Sequence, residues 1–85
     1  MKTFIKGKYK KSIYESGNGY IIGLFKLHET DNEVMKEYLN KTITFTGNFH
    51  ELIIDDDYIF YGEEIEHPKY GLQFNVLEYE RLKPS

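Results

Sequence analysis

Thr42-Ile43-Thr44-Phe45-Thr46-Gly47-Asn48-Phe49 is the stretch that decides the fold class. Ile43, Phe45, Gly47 and Phe49 alternate with Thr42, Thr44, Thr46 and Asn48. A period of two sends one set of side chains to each face of an extended strand. β-Branched and aromatic residues fill the stretch, as suits a pleated, half-buried surface. Similar segments lie on both sides of it. Upstream, Thr3 to Tyr14 places Ile5, Gly7, Tyr9 and Ile13 on one face and Lys6, Lys8 and Lys10 on the other. Glu15-Ser16-Gly17-Asn18-Gly19 then breaks it. Asn-Gly is a hairpin signal because both residues tolerate positive φ. Tyr20 to His28 follows, with Ile21-Ile22-Gly23-Leu24-Phe25 almost continuously apolar, so that both of its faces are expected to be covered. Downstream, Asp55-Asp56-Asp57 marks a loop, Tyr58 to Glu66 is a fourth strand ended by Pro68, and Leu72 to Arg81 is a fifth.

Between the second and third strands, Thr30-Asp31-Asn32-Glu33 fits the capping-box pattern at a helix start. Val34 with Tyr38, and Met35 with Leu39, stand at the i,i+4 spacing. The pattern predicts a short helix over Asp31 to Leu39, or a long hairpin loop with one helical turn. The fold class is therefore all-β with one short helix. Five strands with interior glycines at Gly7, Gly23, Gly47 and Gly62 suit a small closed barrel, since glycine lets a strand coil at a corner. The OB-fold, a five-stranded Greek-key barrel, is the leading architecture, and an SH3-like barrel is the alternative. An OB-fold helix ordinarily follows strand three, whereas the helical pattern here precedes it, and Glu51 to Asp57 leaves little room for one.

Length and composition bound the rest. The chain has 85 residues, 40% of them hydrophobic and 16% aromatic, with 8 tyrosines and 6 phenylalanines. That is one domain, residues 1–85, too apolar for disorder. It has no cysteine, which removes disulfides, thiolate metal sites and cysteine nucleophiles. No apolar run reaches the roughly 18 residues of a membrane span, and no signal-peptide segment stands at the N-terminus, so a cytoplasmic setting without membrane partners is expected. The chain stops at Lys83-Pro84-Ser85 with no closing element, as expected of a domain cut from a longer protein.

Chemistry-bearing motifs are few. Asp55, Asp56 and Asp57 lack the alternation and glycine of a calcium loop and read as a solvated loop. His28, His50 and His67 lie on separate elements without metal-ligand spacing, so no metal is expected. Glu63, Glu64 and Glu66 pair with no pocket. The phosphate-loop, G-x-S-x-G and H-E-x-x-H patterns are missing, and nothing points to a small-molecule substrate. No catalytic residue and no cofactor site is expected in this chain.

Charge and aromatics suggest binding instead. The net charge is −3, so nucleic-acid contact would need a local patch rather than bulk charge. Lys2, Lys6, Lys8, Lys10 and Lys11 all precede the first acid, Glu15. They form either a phosphate-contacting ridge or a solvated strand face with edge-protecting lysines. Phe25, Phe45 and Phe74 are expected in the core of so small a domain. Tyr14, Tyr20 and Tyr79, with polar tips, are expected half-buried or available to stack bases.

Two segments carry more than a generic barrel signal: Ile13-Tyr14-Glu15-Ser16-Gly17-Asn18-Gly19-Tyr20 followed by Ile22, and Gly62-Glu63-Glu64-Ile65-Glu66-His67-Pro68-Lys69-Tyr70-Gly71-Leu72-Gln73-Phe74. With Thr44-Phe45-Thr46-Gly47 between them, they resemble the N-terminal domain of the bacterial RecD-like ATP-dependent DNA helicases. H-P-x-Y-G-x-Q-F is the specific part, and N-G-Y is weak on its own. The resemblance implies an OB-fold barrel ahead of helix-hairpin-helix elements and two motor domains. It implies that the parent protein unwinds DNA with ATP and Mg, while the motor positions lie outside this chain. The stretch Glu29 to Asn40 is longer and more helical than the family's turn. Within the H-P-x-Y-G-x-Q-F segment, Pro68 and Gly71 suit a tight connection, Gln73 is expected to bond back to the turn, and Phe74 to plug the barrel.

The expected function is a non-catalytic accessory domain that guides single-stranded DNA or docks on other domains of the same helicase chain. Lys6, Lys8, Lys10, Lys41 and Lys69 are the expected phosphate contacts, and Tyr14, Tyr20 and Tyr70 the expected stacking residues. A protein-interaction barrel without nucleic-acid affinity is the alternative, favoured by the negative charge and the Glu-rich fourth strand.

Overall fold

Alternation forms strands where it predicts them. The computed structural model describes residues 2–82, and Lys83-Pro84-Ser85 lies outside the described residues. The strands are β1 (Thr3–Glu15), β2 (Tyr20–Thr30), β3 (Thr42–Asn48), β4 (Asp57–His67) and β5 (Gly71–Arg81). They close into a barrel in the order β1-β2-β3-β5-β4. Every pairing is antiparallel except β3 with β5, which is parallel. This is the all-β, five-stranded closed barrel expected of an OB-fold.

Inward positions supply the core. Phe25, Phe45, Phe60 and Phe74 are fully buried with Ile5, Leu27 and Met35. The Phe25 and Phe60 rings stack at 4.5 Å between centroids, and Phe45 lies 5.0 Å from Phe60. Each such side chain contributes about 1.5–3 kcal/mol of burial. The three phenylalanines expected inside are inside. β2 alternates buried Ile21, Gly23 and Phe25 with partly covered Ile22 and Leu24. Its continuous apolar run therefore divides between the core and an outer face that is only half covered.

Gly7 and Gly62 explain how so short a sheet closes. A Cβ at Gly7 would sit 1.9 Å from the Lys26 carbonyl oxygen, and one at Gly62 would sit 1.9 Å from that of Asn75. Both occur where pairing slips, at Lys6/Gly7 in β1–β2 and at Tyr61/Gly62 in β4–β5. The bare backbone lets the neighbouring strand cross close by.

β1 departs from its expected alternation after Tyr9. Its register against β2 shifts between Tyr9 and Lys11, and again between Ser12 and Tyr14. An extra residue at each bulge flips the side chains that follow. Ile13, expected inside with Tyr9, is 59% exposed.

The helix expected over Asp31 to Leu39 is instead a single 3₁₀ turn, Met35–Tyr38. The capping box does not form because its members are engaged elsewhere. Thr30 Oγ1 donates to the Phe4 carbonyl at 2.7 Å and accepts the Asn32 N–H at 3.0 Å. Glu33 pairs with Lys36 at 2.9 Å. The buried Asn32 braces the start of the turn: its Oδ1 accepts the Met35 N–H at 3.0 Å, and its Nδ2 donates to Thr3 Oγ1 at 3.0 Å and Glu64 Oε2 at 2.8 Å. The turn drops Met35 into the barrel, fully buried.

The β3–β4 connection carries no helix. Two tyrosine hydroxyls pin it: Tyr79 Oη accepts the His50 N–H at 2.9 Å, and Tyr58 Oη accepts the Ile53 N–H at 2.8 Å.

Candidate nucleic-acid interface

The bulges at the end of β1 turn Ile13 and Tyr14 onto the outer surface of the barrel. Tyr14 pairs with Ile22 of β2, and Ile22 pairs with Thr46 of β3. The next row runs Lys11, Leu24, Thr44 and Gln73 across β1, β2, β3 and β5. Residues directly opposite share a sheet face, so these rows form one surface. A cleft of about 530 Å³ opens on it, lined by Ile13, Tyr14, Ile22, Thr44, Tyr70 and Gln73. Its lining is apolar and neutral-polar, with Tyr14 53% and Tyr70 66% exposed.

Tyr14 leads into the β1–β2 loop, and Tyr70 stands in the β4–β5 loop. In the β1–β2 loop, Ser16 Oγ accepts the N–H groups of Asn18 and Tyr20, each at 3.3 Å. Positive φ falls on Gly17 and Gly19, at 88° and 105°, rather than on Asn18 and Gly19 as the Asn-Gly pair suggested. In the β4–β5 loop, His67 Nδ1 accepts the N–H groups of Lys69 and Tyr70 at 3.0 and 3.2 Å. Gly71 closes that loop at φ 80°, a left-handed value that is costly for other residues. The turn-bonding role expected of Gln73 thus belongs to His67, and Gln73 lines the cleft.

The expected lysine ridge lies elsewhere on the barrel and is matched by acids. Lys6 Nζ lies 3.7 Å from Glu29, Lys8 Nζ 3.5 Å from Asp57, and Lys10 Nζ 2.8 Å from Asp55. Lys8 also donates to the Asp55 carbonyl at 2.9 Å. The hydrogen bond from Lys10, followed by its charge, holds the Asp55 carboxyl below the usual carboxylate range. Asp56 approaches Arg81 Nε at 2.8 Å. The aspartate run is a largely solvent-exposed loop leading into β4, as expected, and its carboxylates also serve as counter-charges. Among the described residues, Lys11, Lys26, Lys41 and Lys69 have no carboxylate within 4.0 Å.

Of the residues singled out from the sequence, Tyr14 and Tyr70 meet at one cleft, with Lys69 Nζ 5.4 Å from the Tyr70 ring centroid. Tyr20 lines a different opening at the barrel end, with Tyr9, Phe49 and Ile54. Lys41 sits between the 3₁₀ turn and β3, outside both. Sequence reasoning missed Ile13, Ile22, Thr44 and Gln73 as cleft residues. The over-long apolar run of β2 was the one available signal, because it left Ile22 with no place in the core. Among the described residues no group of three or more histidines or carboxylates is placed to hold a metal, and no helix is long and apolar enough to cross a membrane.

OB-folds use the face of strands 2 and 3 with the loops between strands 1 and 2 and between strands 4 and 5, and the cleft takes Ile22 from β2, Thr44 from β3 and Tyr70 from the β4–β5 loop. The family described as the OB-fold domain of ATP-dependent DNA helicase YrrC matches residues 2–84. The chain belongs to this family. The match spans the resembling segments Ile13–Ile22 and Gly62–Phe74, so this helicase OB-fold domain carries its His-Pro-Lys-Tyr-Gly turn at the tip of the β4–β5 hairpin, beside the cleft, and its Asn-Gly-Tyr loop at the tip of the β1–β2 hairpin. No solved structure matches the chain.

Proposed function

We propose that this domain holds single-stranded DNA for its parent helicase across the Tyr14–Tyr70 surface and performs no chemistry itself. The observation that carries the reading is the pair of tyrosines, each more than half exposed, on one apolar cleft. A barrel of this size needs its aromatics inside, so an outward aromatic and isoleucine cluster points to a ligand. Tyrosine rings accept unpaired bases of any sequence, at about 1–3 kcal/mol per stacked base. Thr44 and Gln73 offer neutral hydrogen-bonding groups beside them. Lys69 and Lys11, which have no acidic partner among the described residues, are the phosphate contacts of this reading. Lys6, Lys8 and Lys10 take a subsidiary part, because a phosphate there has to displace Asp55, Asp57 or Glu29.

The competing reading is docking of another domain of the same helicase chain on this surface, which the net charge of −3 favours. Fluorescence anisotropy of a labelled single-stranded oligonucleotide, titrated at low and moderate salt, separates the two. With two phosphate contacts the logarithm of affinity should fall with the logarithm of salt at a slope of about −1.4. No binding at low salt rejects the DNA reading and leaves interdomain docking.

A further inference from the structure

We infer that His67 is a positioning residue that presents Tyr70 to the cleft, an inference that rests on the tyrosine-platform reading above. Tyr70 lies outside the hydrophobic core and is 66% exposed, so packing alone does not fix it. The loop that carries it has few groups to order. Pro68 has no N–H, which leaves Lys69 and Tyr70 as the amide donors of the three residues between His67 and Gly71. Both donate to one atom, His67 Nδ1, at 3.0 and 3.2 Å. The imidazole ring also lies against the Tyr70 ring, with centroids 4.8 Å apart and planes inclined by 36°. His67 therefore fixes the backbone on which Tyr70 stands and supports the flank of its ring.

The chemistry explains why histidine occupies this position. An acceptor reaching the N–H two residues ahead is what Asn and Asp provide at turn starts. His67 Nδ1 provides the same bond, and does so only in the neutral tautomer with its proton on Nε2. Asparagine keeps the acceptor without the ring, and phenylalanine keeps the ring without the acceptor. Those two substitutions separate the roles.

The test makes His67→Phe, His67→Asn and Tyr70→Ala in the 85-residue chain. It reads amide hydrogen exchange at residues 69 and 70 by NMR, and affinity for a labelled oligothymidylate by anisotropy. His67→Phe should speed exchange at both amides about tenfold or more and weaken binding about fivefold. His67→Asn should keep both amides protected and hold affinity within about threefold. Unchanged exchange in His67→Phe overturns the inference. So does lost protection with unchanged affinity while Tyr70→Ala still weakens binding. If Tyr70→Ala leaves affinity untouched, the platform reading fails, and the exchange data alone decide whether His67 orders the turn.

Discussion

The two halves of β1 share one strand and behave differently. From Thr3 to Tyr9 the strand alternates regularly: Ile5, Gly7 and Tyr9 are buried, and Lys6 and Lys8 face outward beside acids. From Lys10 to Glu15 two bulges break the alternation and carry Ile13 and Tyr14 outward together. The regular half builds the barrel and offers solvent a neutralised surface. The bulged half gives up burial of an isoleucine and, by this reading, gains a binding surface. By this reading charge is a poor guide to the functional half: Lys6 and Lys8 have acidic partners within the chain, while Ile13 and Tyr14 stand exposed.

The largest effect should come from the regular half. Gly7→Ala places a methyl group 1.9 Å from the Lys26 carbonyl oxygen. Backbone has to move to admit it, and overpacking of this kind costs about 3 kcal/mol or more. In the bulged half, Ile13→Ala removes a largely exposed side chain and should cost less than about 0.5 kcal/mol. Urea unfolding followed by far-UV circular dichroism measures both. Comparable losses at the two positions would erase the structural side of the contrast.

The order reverses for binding. Tyr14→Ala should leave the urea midpoint almost unchanged and lower affinity for single-stranded oligonucleotide by about 1–3 kcal/mol, the worth of one stacked base. An unchanged anisotropy titration removes Tyr14 from the interface.

How much of this was legible follows the same division. Strict alternation made β3, the first half of β1 and the barrel interior readable, because period and burial agree there. The bulges were not readable. Nothing in Tyr9-Lys10-Lys11-Ser12-Ile13-Tyr14 marks an inserted residue, and one insertion reverses every face assignment after it. Tyr14 and Tyr70 could be chosen as amphipathic residues near loops, but Ile13, Thr44 and Gln73 join them only through cross-strand register. The 3₁₀ turn failed to read for a different reason. Thr30 and Glu33 match a capping box locally, while a tertiary bond to Phe4 engages Thr30, a local ion pair with Lys36 engages Glu33, and the Met35 N–H goes to Asn32.

The lysines test the charge side of the contrast. Replacing Lys6, Lys8 and Lys10 together by Gln removes positive charge that Glu29, Asp57 and Asp55 already balance. Oligonucleotide affinity should fall less than about threefold, and the salt slope should stay near its value of about −1.4. A large loss with a flattened slope would return the phosphate-binding role to the ridge of Lys6, Lys8 and Lys10.

The smallest effect concerns the Lys10–Asp55 pair, where the two halves meet. The hydrogen bond and charge of Lys10 depress the folded-state titration of Asp55. A carboxyl depressed on folding adds stability above its unfolded pKa and loses it as pH falls through the folded value. The pair's contribution should therefore be present at neutral pH and fade below about pH 4, where an unfolded aspartate takes up its proton. It should be small, because both partners are exposed and exposed pairs are screened. Thermal midpoints of the wild type and Lys10→Gln should differ slightly at pH 7 in low salt and converge toward pH 3 or in 1 M salt. A gap that persists in acid means that Lys10 acts through the packing of its aliphatic stem at the bulge. In that case it belongs with the structure of the bulged half, and its charge does not account for the neutral surface beside it.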